Sequence, residues 1–192
     1  MGLWTQGMQI IIPVSLSPEQ YVQSDYQHQI ARPANCPNCQ KAGTLKALGY
    51  YPRFVTAMLS AAVLKIWVRR FWCRHCDITV SCLPDFAQPY RVVNNSTIED
   101  GFEGKKEPHV QRWASLVRGY WKRFEGHWPR LRTQVGAVFG RWSPGATARQ
   151  FWEKLKGACG SLNTATRRLA HDFGETLFAT YQCHQARNYQ AL

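Results

Sequence analysis

The hydrophobic pattern of this chain changes its period near residue 96. In the first half, apolar side chains alternate with charged or aromatic ones, as at Leu64, Ile66 and Val68, which is the spacing of a half-buried β-strand. In the second half, apolar residues recur about every 3.6 positions, as expected for amphipathic helices. The sequence therefore predicts an α+β protein in which a small β domain precedes an all-α helical domain, residues 94–192.

Three strands are predicted in the first half, at residues 44–53, 64–72 and 78–82, and the first two pair as a hairpin. Pro84 ends the third strand, because proline has no N–H to donate to a sheet. Residues 54–63 are longer than a hairpin turn requires. Their apolar character predicts a short helix or an ordered loop that is buried.

Residues 1–31 contain a β-branched run, from Ile10 to Val14, which Pro13 interrupts and a helix start at Ser17 follows. We interpret this segment as an N-terminal arm or edge strand that packs on the β domain. The alternative is an arm that binds a partner.

The first helices contain a candidate helix-turn-helix at residues 96–125. A short helix is predicted over residues 97–102 with Ser96 as its N-cap, then a turn at Gly104 and a helix that begins near Pro108. The second helix would bury an apolar face and present polar residues able to reach base edges. An ordinary bundle helix has the same pattern, so both interpretations stay open. The apolar face consists of Trp113, Val117, Tyr120, Trp121, Phe124 and Trp128.

Three further helices are predicted after this one. Pro129 starts the first, which reaches Trp142, because proline interrupts helical hydrogen bonding. The second carries Phe151 and Trp152, and the last follows apolar positions from residue 162 to residue 181. The tryptophans of the helical region are predicted to pack in the core rather than to stack on bases.

The charge balance indicates a polyanionic partner. The chain has 24 Lys and Arg against 12 Asp and Glu, a formal net charge of +12, and residues 1–31 contain none of the basic residues. Nucleic acid is the leading partner class, and an anionic membrane surface is second. Duplex DNA is favoured over RNA, although charge alone does not separate the two polymers. No apolar run is long enough to span a bilayer.

Two Cys-x-x-Cys pairs, at residues 36–39 and 73–76, stand out among the seven cysteines. This spacing lets each pair occupy one edge of a tetrahedral Zn²⁺ site, so residues 32–93 are predicted to form a zinc ribbon with one structural Zn²⁺. Four sulfur ligands leave no open coordination position for catalysis. The predicted ligands are Cys36, Cys39, Cys73 and Cys76.

The other cysteines do not form a second paired motif. Cys82 is an alternative ligand, but a buried strand cysteine is the favoured interpretation. Cys159 and the Cys183-His184 pair do not supply a second metal site. An odd number of cysteines without a signal peptide predicts a reducing, cytoplasmic location, in association with the nucleoid.

Basic and polar residues of the ribbon and the first helices are the candidate nucleic-acid contacts. Cations and aromatic rings are most densely mixed where Arg69, Arg70 and Arg74 alternate with Trp67 and Trp72. Charge that only solvates the ribbon is the alternative. The predicted contacts are Arg53, Lys65, Arg69, Arg70, Arg74, Lys105, Lys106, Gln111, Arg112, Ser115, Arg118 and Lys122.

Catalysis is disfavoured by the sequence. Glu99, Asp100, Glu103 and Glu107 cluster at a helix boundary, where helix N-termini attract carboxylates. No glycine-rich phosphate loop, Gly-x-Ser-x-Gly or His-Glu-x-x-His motif occurs in the sequence.

The ribbon motifs resemble those of a known family. They are Cys36-Pro37-Asn38-Cys39, Gly49-Tyr50-Tyr51-Pro52-Arg53, Arg69-Arg70-Phe71-Trp72-Cys73-Arg74-His75-Cys76, Leu83-Pro84-Asp85 and Pro89-Tyr90-Arg91. Together they are similar to the zinc ribbon at the N-terminus of insertion-sequence transposases and of their small accessory proteins. In that family a helix-turn-helix that binds the ends of the element follows the ribbon. The resemblance covers residues 32–125 and implies DNA binding.

The chain departs from this family in two respects. Residues 54–63 lengthen the hairpin, and no RNase H-like core with three metal-binding acids can be placed after residue 92. The resemblance therefore implies a non-catalytic accessory or regulatory factor of a mobile element, or a truncated transposase, with a transposase or recombinase as protein partner. The alternative is an adaptor whose ribbon and helices dock on a protein or ribonucleoprotein assembly.

Overall fold

The computed structural model of this protein describes residues 7–60, 62–139, 143 and 145–180. Its strands are β1 (Gly7–Ile12), β2 (Leu45–Thr56), β3 (Val63–Cys73) and β4 (Thr79–Pro84). Its helices are α1 (Pro18–Gln23), α2 (Asn95–Phe102), α3 (Pro108–Arg112), α4 (Ala114–Phe139), α5 (Ala148–Cys159) and α6 (Leu162–Phe173), with a 3-10 helix at Tyr26–His28. The predicted α+β class is confirmed. Among the described helices, none combines the length and apolar character that a membrane crossing requires.

The four strands form one sheet in the order β1-β4-β3-β2. β3 is antiparallel to both β2 and β4, whereas β1 pairs parallel to β4 at the edge. The β-branched run of the N-terminus therefore forms an edge strand, and the side chain of its Met8 is buried in the core. A register shift between Ala47 and Gly49 marks a bulge in β2, which is typical of a strand that bends near a functional or terminal position.

The β2–β3 hairpin is longer than the sequence predicted. Residues 54–56 continue β2, which ends at Thr56, and β3 begins at Val63. Phe54 is 58% exposed and Leu59 is 85% exposed, so the prediction that residues 54–63 are buried is wrong for most of them. The outer part of the hairpin is a two-stranded ribbon, because β4 pairs with β3 only over Arg69–Trp72. This ribbon buries one side, with Val55 and Ile66, and leaves the other side exposed.

Asn94, not Ser96, caps the first helix after the sheet. Its side chain accepts a hydrogen bond from the Thr97 N–H at 2.9 Å. Its amide also donates to the Thr56 and Ala57 carbonyls, so the cap fixes the start of α2 against the end of β2. The predicted cap at Ser96 is therefore wrong, because Asn caps as well as Ser does and Asn94 is buried beside β2.

The helix predicted from Pro108 is divided at Trp113, and the next helix does not end at Pro129. Instead, α4 continues through Pro129 to Phe139, so the predicted restart is wrong. Proline removes one helical N–H donor, but the fully buried side chains of Phe124 and Leu131 lie on either side of it. Their packing keeps both halves in one helix.

The last described helix ends at Phe173, because Gly174 adopts a left-handed conformation with φ of 63°. Leu177, which the pattern placed on this helix, instead lies in the following loop, and its side chain is buried. Tyr181 and Trp142, at the predicted ends of two helices, lie outside the described residues.

Buried polar contacts join the sheet to the helices. The Asp85 carboxylate accepts hydrogen bonds from the Val14 N–H at 3.1 Å and from Arg167 of α6 at 3.3 Å. The Gln88 amide donates to the Thr166 hydroxyl, also on α6, at 2.5 Å. The chain that leaves β4 is therefore fixed against α6 before α2 begins.

Candidate metal centre and basic surface

The two Cys-x-x-Cys turns have the same backbone geometry. The Cys36 N–H donates to the Lys41 carbonyl at 3.1 Å, and the Cys73 N–H donates to the Ile78 carbonyl at 2.9 Å. In each turn, therefore, the first cysteine bonds to the carbonyl five residues later. This closure directs the two sulfurs of one turn toward the two sulfurs of the other.

All four cysteine sulfurs meet in one cluster. The Sγ atoms of Cys36 and Cys76 are 3.6 Å apart, those of Cys39 and Cys73 are 3.8 Å apart, and all four lie within 4.8 Å of one another. A tetrahedron with metal–sulfur bonds of about 2.3 Å has edges of about 3.8 Å, whereas a disulfide would place two sulfurs about 2.0 Å apart. The four predicted ligands thus form a cluster that can hold a metal ion and is compatible with zinc.

The surroundings of the cluster favour a thiolate at Cys73. Burial raises the pKa of Cys73, but its hydrogen bond with the Thr44 hydroxyl and those from the Cys76 and His75 N–H groups outweigh burial and lower the pKa to about 6. Burial raises the pKa of Cys36 to about 12. Because thiolates are the metal-binding form, metal binding at this site is coupled to the release of protons.

Other candidate ligands lie outside the cluster. Cys82 is fully buried in β4, where burial raises its pKa to about 12, and it is not part of the sulfur cluster. His75 is exposed, and its Nδ1 atom lies 3.5 Å from the Lys41 Nζ atom. Cys159 is half-buried on α5. Cys183 and His184 are outside the described residues.

Three of the predicted nucleic-acid contacts already have partners within the protein. Arg53 donates to two loop carbonyls, Lys105 forms two ion pairs, and the Gln111 amide caps a turn. Their positions are therefore fixed by the fold. The partners are the Gln88 and Arg91 carbonyls for Arg53, Asp100 and Glu103 for Lys105, and the Lys106 carbonyl for Gln111.

Four predicted contacts form what we term the basic helix face: Arg112, Ser115, Arg118 and Lys122. All four side chains are exposed. Ser115, Arg118 and Lys122 lie at i, i+3 and i+7 of α4, which places them on one side of the helix. Within the described part of the chain, no carboxylate forms an ion pair with Arg112, Arg118 or Lys122.

The predicted contacts of the sheet lie beside aromatic rings. Lys65 Nζ is 4.5 Å from the centre of the Trp67 ring, and the Arg69 guanidinium is 4.6 Å from the centre of the Tyr50 ring. Such cation–π contacts orient the charged groups without neutralising them. The remaining predicted contacts are Arg70, at 5.9 Å from the Tyr51 ring, and the exposed residues Arg74 and Lys106.

A family model for a domain of unknown function, DUF6431, matches residues 36–118. The match begins at the first cysteine of the sulfur cluster and ends within α4, so it includes all four sulfur donors and part of the basic helix face. The searches of curated proteins and of solved structures found no match to the chain. The similarity thus groups the sulfur cluster with the first helices, and its description assigns no activity.

The acids near the α2 boundary join helices to one another. The Glu99 carboxylate pairs with Lys156 and accepts a hydrogen bond from the Leu162 N–H, at the start of α6. Glu103 also contacts Lys156, at 2.7 Å, and this hydrogen bond lowers the pKa of Glu103. Asp100 pairs with Lys105 at 2.7 Å. Glu99 and Glu103 therefore hold α2 against α5, and Glu99 also contacts the start of α6.

Two features of the surface were not found by sequence reasoning. Arg53 donates to the Arg91 carbonyl at 3.2 Å, and the Arg91 guanidinium lies 5.8 Å from the ring of Tyr120 on α4. Burial, together with the charges of Arg123 and Arg53, lowers the pKa of Arg91. Phe54 and Trp67 are exposed on the hairpin. The sequence signal for these exposed rings was a set of aromatic residues at alternating strand positions, a pattern that normally indicates a core.

Proposed function

We propose that this protein binds duplex DNA and that its four cysteines hold one structural Zn²⁺. The sulfur set and its near-tetrahedral spacing support zinc, because Zn²⁺ prefers four thiolates at these distances. With four protein ligands no position remains for a water molecule or a substrate. The metal therefore fixes the ribbon and takes no part in a reaction.

The basic helix face is the observation that carries the DNA proposal. Its cations are exposed and unneutralised, whereas Glu99, Asp100 and Glu103 pair with other cations. Uncompensated cations along a helix match the spaced phosphates of a duplex. In this proposal α2 and the α3–α4 unit act as a helix-turn-helix, in which α4 enters the major groove and Ser115 and Arg118 reach base edges.

The role of an accessory or regulatory factor of a mobile element rests on the resemblance of the ribbon to transposase ribbons. In that role the protein acts in the cytoplasm at the nucleoid, beside a transposase or recombinase. It positions DNA and leaves strand cleavage to that partner.

The test measures binding of the zinc-loaded protein to a labelled duplex by fluorescence anisotropy at about 50 and 200 mM salt. Affinity should fall with salt, with a log–log slope of about 0.9 per phosphate contact. Lys122→Ala should weaken binding and reduce this slope by about 0.9, because it removes a phosphate contact. Arg118→Ala should weaken binding by about 1–3 kcal/mol, because it removes a base contact. Lys154→Ala removes an equal charge from an exposed position on α5. This variant should leave the affinity and the salt slope unchanged.

Absence of binding to duplex DNA at the lower salt concentration would overturn the proposal. An equal loss of affinity in Arg118→Ala and Lys154→Ala would also do so, because it would show that total charge alone drives the binding. Duplex RNA of the same length serves as a competitor, and stronger binding to RNA would assign the face to that polymer.

A further inference from the structure

The outer part of the β2–β3 hairpin has one face made of rings and cations. Tyr50 pairs with Arg69, Pro52 with Trp67, and Phe54 with Lys65. Directly paired residues, and every second residue along a strand, share one side of a sheet. We call these six residues the aromatic face. The two cation–π contacts of Lys65 with Trp67 and of Arg69 with Tyr50 lie within it.

The large side chains of this hairpin lie on its exposed side and the smaller ones on its buried side, which is the reverse of the usual arrangement. Phe54 is 58% exposed and Trp67 is 39% exposed on the aromatic face. On the other side the smaller Val55, Ile66 and Val68 are fully buried. Large rings are normally the side chains that a fold buries first, so exposed rings on a defined face indicate a binding surface.

The charge around the aromatic face narrows the class of ligand. Neither β2 nor β3 contains an acidic residue. Two acids contact the hairpin or its turn: Glu19 accepts hydrogen bonds from the Met58 and Leu59 N–H groups, and Asp77 accepts one from the Trp72 side chain. Within the described residues no carboxylate pairs with Lys65 or Arg69. The face therefore complements a ligand that combines flat apolar rings with regularly spaced negative charge.

We infer that the aromatic face binds a single-stranded segment of DNA, with unpaired bases stacked on Trp67 and Phe54 and neighbouring phosphates beside Lys65 and Arg69. Bases inside a duplex are covered by their neighbours, so only an unpaired segment offers its rings to such a face. This inference rests on the proposed function, because the duplex next to that segment is taken to contact the basic helix face. The preferred ligand is then a junction of duplex and single strand.

The test compares a blunt duplex with the same duplex carrying a single-stranded tail, by anisotropy with the full-length, zinc-loaded protein. The tail should increase affinity. Trp67→Ala and Phe54→Ala should each weaken binding to the tailed duplex by roughly 5- to 150-fold relative to the unmodified protein. Both variants should bind the blunt duplex like the unmodified protein. Trp67→Phe keeps a ring and should retain most of the gain.

A matched control and a direct stacking signal complete the experiment. Tyr90 is 78% exposed and lies outside the aromatic face, so Tyr90→Ala should keep the preference for the tailed duplex. A 2-aminopurine base in the tail should lose fluorescence on binding, and Trp67→Ala should abolish this quenching. Thermal unfolding of each variant shows whether its fold is retained.

Normal binding to the blunt duplex without any preference for the tail would overturn this inference and leave the proposed function intact. Binding to the tail alone, lost in Trp67→Ala, would support the inference and overturn the duplex proposal. Failure to bind either DNA would overturn both and assign the exposed rings to a protein partner.

Discussion

Gln40 and Asp77 occupy equivalent positions in the two cysteine turns and share an unusual backbone conformation. Their φ angles are 58° and 54°, and each N–H donates to the carbonyl of the first cysteine of its turn, at 2.8 and 2.9 Å. A left-handed residue at this position reverses the chain after the second cysteine. The cluster is therefore assembled from two copies of one local turn.

A β-branched residue at position 40 should destabilise the first turn. The left-handed conformation costs a side-chain-bearing residue roughly 1–2 kcal/mol, and branching at Cβ increases the cost. The Gln40 side chain also donates to the Pro37 carbonyl at 2.9 Å. We expect Gln40→Val, which loses this hydrogen bond and adds branching at Cβ, to lower the free energy of unfolding by about 1–2 kcal/mol. Gln40→Gly loses the same hydrogen bond but adopts the left-handed conformation freely, so its stability should stay close to that of the unmodified protein. Denaturant unfolding of the metal-loaded protein checks this. Equal stability of the two variants would contradict it.

Removal of the metal should unfold the ribbon. A four-thiolate site contributes directly to folding free energy, so a chelator should lower the melting temperature and elemental analysis should find about one zinc per chain. Cys39→Ser and Cys73→Ser should lose the metal and yield unfolded or insoluble protein. Cys159→Ser changes a cysteine outside the cluster and should keep the metal. A folded, metal-free Cys73→Ser variant would count against the site.

Gly101 allows α2 to pack closely on α4. A Cβ atom at this position would overlap the Cγ1 atom of Val117, whose branched side chain has few alternative rotamers. We expect Gly101→Ala to lower the free energy of unfolding by about 1–3 kcal/mol. Gly119→Ala on α4 meets only open space and should raise it by up to about 1 kcal/mol through helix propensity. Chemical denaturation distinguishes the opposite signs.

The Glu175 carboxylate should make stability depend on pH. Burial raises its pKa, but hydrogen bonds from His127 and Arg130 outweigh burial and lower the pKa below the ordinary value of 4.5. The ionised form therefore stabilises the fold above pH 4.5, and this contribution is lost as the pH falls through the lowered pKa. Glu175→Gln should cost about 1–3 kcal/mol at pH 7 and less in acid.

Melting temperatures measured from pH 7 down to pH 3 check this dependence. Glu153→Gln, at an exposed position on α5, serves as the control and should show a small, constant difference from the unmodified protein. A Glu175→Gln variant whose deficit does not shrink in acid would show that the carboxylate acts by packing and not by charge.

Several features of the protein follow from short stretches of sequence. The change from alternating to helical periodicity predicted the α+β order, and the Cys-x-x-Cys spacing predicted the four-sulfur cluster. Both predictions are confirmed because the sequence patterns behind them each extend over only a few consecutive residues. A turn such as residues 36–41 closes on itself, so its sulfurs are directed before any distant contact forms.

Other features depend on contacts between residues far apart in the chain. Pro129 lies inside α4 because buried side chains on both sides outweigh its missing hydrogen bond, and Arg53 is held by carbonyls of a distant loop. Trp67 is exposed because it lies on the side of the hairpin opposite the buried Ile66 and Val68. The sequence by itself determined the α+β order and the four cysteines whose sulfurs meet, because both are encoded in short local patterns. Only the tertiary structure decided which rings and cations stay at the surface, because burial depends on which elements cover each face.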